Sequence, residues 1–310
     1  MRSLFHHLRR RPEVLALLSI LAADAVWMRS AGLSFKNPGL PLLAMCCLLL
    51  LAIAYGYTGR SKRLSDMGYY GALFTACGTL LTIMIYLAAC GGNALYDPAL
   101  AKFDAFLGFN WHRWTASIQG LPLFDKLLKA AYFSLLPQIV LTIFLLAHAD
   151  REDRNKEFFW TVLVSLLATT AVFKLFPAVG PFAFYELELD RATHLKDLVL
   201  LRSGAVHAYA LPQMEGLIAF PSYHTVMALI LPYVHRGLRH TFVPVLVLNA
   251  LMLLSTPSHG GHYLVDMLGG VVIAVASIAL VRSAMGIRSA PTPVPSAPHT
   301  TPAPVPAVRK

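Results

Sequence analysis

Charged side chains are scarce in this sequence: Asp, Glu, Lys and Arg make up 14% of its 310 residues, against about a quarter in soluble domains. With 56% of the residues hydrophobic, too little polar surface remains to cover a soluble fold. Cysteine is scarce as well. Of the four, Cys46, Cys47 and Cys77 fall within apolar runs and Cys90 at the end of one, so neither a disulfide framework nor a CxxC metal site can be read. The formal net charge of +10 comes without a basic amphipathic face. Lys and Arg instead fall in short segments between apolar runs, which points to anionic lipid as the charge partner and away from nucleic acid.

What the chain has in quantity is apolar runs of bilayer length. A hydrocarbon core of about 30 Å needs roughly 17 to 25 helical residues, and about eight runs approach that length. They cover about Val14–Met28, Leu40–Tyr57, Tyr70–Cys90, Lys126–His148 with Pro137 as a kink, Phe158–Phe176, Leu217–His235, Thr241–Ser255 and Tyr263–Arg282. The expected fold is an all-α polytopic transmembrane helix bundle. The first run follows a basic head with Arg2, Arg9, Arg10 and Arg11 and resembles a signal sequence, but Asp24 interrupts it and further spans follow, so it reads as a retained helix. Asp24 is an intramembrane carboxylate far in sequence from the other candidate residues, and a structural or interfacial role suits it best.

Three segments do not span. From Gly91 to Asp125, aromatic residues such as Tyr96, Phe103, Phe106, Trp111 and Trp114 alternate with charges, as in one or two amphipathic helices lying in the membrane interface. Pro177 to Gly216 is a long connection carrying Glu186, Glu188, Asp190, Arg191, His194 and Arg202, and its scattered apolar residues favour an ordered cover. Beyond Arg282 the chain turns to Pro, Ala, Thr and Ser and reads as a disordered tail. Three regions follow: a three-span part over 1–90, a core over 91–282 and the tail over 283–310. Basic turns at Arg60, Arg151 and Arg236 share a side with both termini and read as cytoplasmic, which places the interfacial segment and the long connection on the extracytoplasmic face of a cell membrane, the inner one in a bacterium.

Two histidine stretches, Phe220-Pro221-Ser222-Tyr223-His224 and Ser258-His259-Gly260-Gly261-His262-Tyr263-Leu264-Val265-Asp266, sit at the mouths of apolar runs on that same face. His262 and Asp266 are four apart and share a helix face, so the carboxylate can hold the imidazole in one tautomer and favour its positive charge. If His224 converges on the same point, the pair supplies a nucleophile and a separate proton donor. That is the minimum for phosphoryl transfer through a covalent intermediate. His207, His235 and His240 read as structural, and zinc held by His259, His262 and Asp266 is the metal alternative.

Pro221-Ser222-Tyr223-His224 and His262 with Asp266 resemble two signatures of the type 2 phosphatidic acid phosphatase superfamily. Phe176-Pro177-Ala178-Val179-Gly180-Pro181, Leu201-Arg202-Ser203-Gly204 and Tyr96-Asp97-Pro98 are similar to the branch that holds fungal inositol phosphorylceramide synthase and its bacterial relatives. The resemblance implies a six-helix phosphatase-like core and metal-independent, cofactor-free chemistry on a membrane lipid carrying a phosphate or phosphodiester headgroup. It implies His262 as the nucleophile, Asp266 as its orienting partner and His224 as the acid, then the base. The chain also departs from the family pattern: Lys174 is present, but Pro181 stands where an Arg is expected, and Ser255-Thr256 brings no Arg before the last histidine. The phosphate-binding candidates are therefore Arg202, Lys174, the backbone near Ser222, and His259. A lipid phosphatase is the leading expectation, a headgroup transferase with a lipid or polyol hydroxyl acceptor the alternative, and a carrier without chemistry the third.

Overall fold

A computed structural model of the chain describes residues 11–92, 94–185 and 193–287. The head through Arg10, the charged residues Glu186, Glu188, Asp190 and Arg191, and the tail from Ser289 lie outside the described residues. The elements run α1 (Pro12–Ala31), β1 (Ser34–Lys36), α2 (Gly39–Thr58), α3 (Lys62–Ala89), α4 (Asp97–Phe106), α5 (Trp111–Gln119), α6 (Pro122–Phe133), α7 (Leu135–His148) and α8 (Glu152–Leu175). They continue with α9 (Pro181–Phe184), α10 (His194–Ser203), β2 (Ala208–Ala210), α11 (Tyr223–Val234), α12 (Phe242–Gly260) and α13 (Leu264–Ala284). The fold is an all-α polytopic bundle.

Helix α8 is the axis of the bundle, packed by α3, α7, α11 and α13. Its Phe158, Phe159, Val162 and Leu163 are buried with Leu73 and Leu81 of α3, Val226 and Ile230 of α11 and Ile273 of α13. Helix α2 buries no residue and docks on α3 across small side chains. A Cβ on Gly68 would lie 2.5 Å from the Leu48 carbonyl oxygen, a backbone approach of the kind that holds helices together in lipid.

Ion pairs gather the turns at one end. Lys62 meets Glu152 at 2.6 Å, Arg63 meets Asp150 at 2.7 Å, Arg236 meets Glu157 at 2.6 Å and Lys156 meets Glu13 at 3.4 Å. The first two pairs are exposed and contribute about 0–1 kcal/mol each, whereas Glu157 and Glu13 are buried carboxylates that need their cations. Together these pairs bring the start of α1 and the α2–α3, α7–α8 and α11–α12 turns to a common end, opposite the N-termini of α11 and α13.

Among the described residues, six helices are long and apolar enough to cross a membrane: α1, α2, α3, α8, α12 and α13. The apolar pair α6 and α7 is bent by 55° at Ser134, the form of a broken span or a re-entrant loop. Pro137 explains the bend, because it lacks the N–H that would bond the carbonyl of Phe133 four residues back. The sixth expected run, Leu217–His235, is corrected at its start. Helix α11 begins at Tyr223, not Leu217, and its 12 residues span only about 18 Å at 1.5 Å each. Residues 217–222 stay outside the helix because the Ser222 hydroxyl caps it, accepting from the Thr225 N–H at 3.4 Å, while the Ser222 N–H goes to the main chain of α13. Charged turns were also absorbed into helices: α3 starts at Lys62 behind a Ser61 cap, and α8 at Glu152.

The long connection is an ordered cover where it is described. Its β2 pairs in parallel with β1, Ser34 opposite Ala208 and Lys36 opposite Ala210, an anchorage the apolar pattern did not announce. The interfacial segment forms α4 and α5, but it is pinned by polar contacts to protein. Trp111 is buried and donates to the Pro257 carbonyl at 2.9 Å, whereas Phe103 and Phe106 stay exposed. Asp24 is buried in α1, and neither of its carboxylate oxygens has a hydrogen-bond partner among the described residues.

The Gly269-Gly270 pair sets how closely the two histidine stretches approach. A Cβ on Gly270 would stand 2.6 Å from the Ser222 carbonyl oxygen and 2.9 Å from Thr225 Cβ, so Gly270→Ala must push α13 off α11. It should destabilise by about 1–3 kcal/mol, the usual overpacking cost, read as a lower midpoint of thermal unfolding in detergent. Gly78→Ala, whose Cβ would meet nothing within 4 Å, should leave the midpoint unchanged or higher.

Candidate active site

Between the cover and the N-termini of α11 and α13 lies a cavity of about 860 Å³. Apolar side chains from the spans line it, including Ile85, Leu135 and Leu166, together with His194, His224, His259, His262, Lys129 and Tyr132. Tyr223 and His224 are the first two residues of α11, so the positive end of that helix borders the space.

His262 is held from behind. Its Nδ1 lies 2.8 Å from the Ala219 carbonyl oxygen and 3.3 Å from Asp266 Oδ2. A carbonyl can only accept, so in the neutral ring Nδ1 carries the proton and Nε2 keeps its lone pair. The sequence spacing assigned this orienting role to Asp266 alone; the main-chain oxygen of Ala219 is the nearer partner. Asp266 Oδ2 also accepts from the Tyr263 N–H at 2.8 Å, closing the first turn of α13, and the Asp266 carbonyl accepts from the Ser222 N–H at 3.0 Å.

His224 sits on the neighbouring rod with its ring stacked on Tyr132, centroids 3.9 Å apart and planes 15° apart. Gly260 fits between Tyr132 and His262. A Cβ there would come within 2.7 Å of Tyr132 Cε2 and 2.8 Å of His262 Cδ2, so Tyr132 and His262 both close on the Gly260 backbone. His259 lines the same cavity, with Nε2 3.2 Å from Asp125 Oδ1 and Nδ1 3.1 Å from the Ser258 hydroxyl. Among the described residues no group of three or more His, Cys, Asp or Glu is arranged to hold a metal ion.

The other sequence candidates lie apart. Lys174 donates to the Cys90 carbonyl at 2.6 Å, and neither it nor Arg202 lines the cavity. Ser222 is buried as the cap of α11. Conversely, several residues at the site carried no role in the sequence reading. Asp97 accepts from the Val179 and Gly180 N–H groups at 3.0 and 2.9 Å and from the Tyr263 hydroxyl at 3.2 Å. Asp104 accepts from the Leu264 and Val265 N–H groups at 2.8 and 2.9 Å, capping α13. The two are seven apart on α4, a same-face spacing, but a carboxylate on an amphipathic helix is ordinarily read as solvated.

The match to known families now has a geometry to attach to. Residues 98–280, more than half of the chain, match the model of the PAP2 superfamily. The chain belongs to the PAP2 superfamily. No curated protein and no solved structure matches it. PAP2 membership carries phosphatase or phosphotransferase chemistry in general terms, and the matched segment takes in every cavity-lining residue except Ile85.

His194, from the cover, donates through Nε2 to the Val179 carbonyl at 3.0 Å. Burial holds its pKa below the ordinary histidine value, against the raising effect of that hydrogen bond. The unfolded chain, with a pKa of about 6.5, therefore binds the proton first as the pH falls, and stability declines with it. The unfolding midpoint should drop between about pH 7 and pH 5.5, and His194→Gln, which keeps a donor but cannot titrate, should show a shallower drop.

Proposed function

We propose that this protein is an integral membrane lipid phosphatase that works through a phosphohistidine. The observation that carries the reading is the pair of imidazoles on one cavity, His262 locked by Ala219 and Asp266 with Nε2 basic, and His224 on the adjacent helix. In the first step Nε2 of His262 attacks phosphorus, the bond to the lipid oxygen breaks and His224 gives that oxygen its proton. The ring becomes cationic as the N–P bond forms, and the Asp266 carboxylate beside Nδ1 stabilises it. In the second step His224 takes a proton from water, the water oxygen attacks phosphorus, the N–P bond breaks and inorganic phosphate leaves.

The apolar wall of Ile85, Leu135 and Leu166 suits a substrate with a hydrocarbon tail. The ion-paired end of the bundle carries the basic turns and belongs in the cytoplasm by the charge bias of membrane proteins, so the cavity opens toward the extracytoplasmic face. Transfer to a lipid or polyol hydroxyl is the second reading, favoured by Gln119, Thr193 and Glu215, polar residues that line the cavity without a part in the hydrolytic steps. An acceptor panel with labelled lipid phosphate separates the two: label in free phosphate marks hydrolysis, label in a new lipid marks transfer.

Purified protein in detergent should release phosphate from a lipid monophosphate in the presence of a chelator, and His262→Ala or His224→Ala should lower kcat by about a thousandfold or more. Activity abolished by chelator and restored by a divalent metal would overturn the mechanism, and full activity in His262→Ala would leave only a carrier. The stack on Tyr132 gives a finer check: Tyr132→Phe should keep most of kcat, whereas Tyr132→Ala should lose about tenfold, the worth of a well-formed ring pair.

A further inference from the structure

A phosphoryl group in transfer needs fixed positive charge at its equatorial oxygens. The chain lacks arginine at two positions where the family pattern led us to expect it, and Lys174 and Arg202 lie outside the cavity lining. Among the described residues that line the cavity, Lys129 alone is a Lys or Arg. It sits on α6 with Asp125 and Tyr132, at positions i, i+4 and i+7 of one helix face, and all three line the cavity.

An Asp and a Lys four apart on a helix ordinarily pair with each other. Here Asp125 turns instead to His259, at 3.2 Å, and Lys129 has no carboxylate within ion-pair distance among the described residues. One turn along the same face, Tyr132 stacks on His224 and abuts the Gly260 backbone beside His262. The cation therefore belongs to the same wall as the two reacting imidazoles, and the exposure of its flexible stem lets it reach a ligand entering the space.

We propose that Lys129 is the cationic ligand of the substrate's phosphate group, forming with the first turn of α11 an anion subsite that α6 supplies in place of the absent arginines. The inference rests on the phosphoryl-transfer reading but can be tested without turnover. Inorganic phosphate is titrated into the full-length protein in neutral detergent, the rise in unfolding midpoint giving its affinity, for the wild type, Lys129→Met, Lys129→Arg and Lys102→Met, the last removing an exposed charge of α4 that does not line the cavity.

Phosphate should stabilise the wild type, Lys129→Met should weaken its binding by about 10- to 100-fold, as expected for a charge-assisted hydrogen bond lost, and Lys129→Arg should restore most of it. With a lipid monophosphate in micelles as the second ligand, KM should rise in Lys129→Met by a similar factor. Unchanged phosphate affinity in Lys129→Met, an equal loss in Lys102→Met, or no response in the wild type would overturn the subsite. A wild type that binds phosphate through Lys129 and turns over no lipid phosphate would count against the proposed reaction and leave the subsite standing.

Discussion

The stretch 217–222 and the first turn of α13 hold each other at successive points, and the site depends on that contact. The Ala219 carbonyl takes the His262 ring proton at 2.8 Å, and the Ser222 N–H goes to the Asp266 carbonyl at 3.0 Å. Gly269 and Gly270 lack the side chains that would press on Phe220, Pro221 and Ser222 and keep the two segments apart. Because the main chain of one histidine stretch supplies the acceptor for the ring of the other, the two motifs cannot drift independently. A buried acceptor left without its donor costs about 1–3 kcal/mol, enough to make the register of α11 against α13 a single arrangement.

Carboxylates do most of the remaining positioning. Asp97, Asp104 and Asp266 are buried at 1%, 3% and 0% exposure, an expensive placement for an ionised group unless its oxygens find donors. Five of the donors they find are main-chain N–H groups, at Val179, Gly180, Leu264, Val265 and Tyr263. Such groups are fixed by the fold and do not compete for a ligand. The interfacial helix α4 thereby acts as a clamp on the helix that follows His262, and this accounts for an aspartate pair in a segment otherwise rich in aromatic residues.

The sequence showed the class, most spans and the two histidine stretches because bilayer length and hydropathy are local properties. Residue contacts across the bundle were less legible. Ser222 was readable as part of a motif but not as a cap that shortens α11, since the competing non-helical path of 217–222 is held by α13, far along the chain. Lys174 and Arg202 were phosphate candidates by charge and by family resemblance, while the Asp125, Lys129 and Tyr132 stripe was written in the helical spacing of α6 and passed over because Asp125 fell in the interfacial segment and the other two in an apolar run. Asp97 and Asp104 were hidden for the opposite reason: their partners are backbone groups, which leave no trace in side-chain pattern.

The distribution of charge between the two ends bears on how a membrane enzyme of this build could hold an anion. At one end the cations are committed, with Lys62, Arg63, Lys156 and Arg236 all within 3.4 Å of carboxylates. At the other, carboxylates face main-chain N–H groups, and Asp125 faces an imidazole. The cavity lining itself carries two carboxylates along with Lys129, and each has another partner: Asp125 meets His259, and Glu215 accepts from the Thr193 hydroxyl. Had Asp125 paired with Lys129, the lining cation would have been screened at the position where a phosphate must bind. The His259 contact therefore bears on the cavity's electrostatics, since it engages the carboxylate that stands one helical turn from Lys129 on the same face.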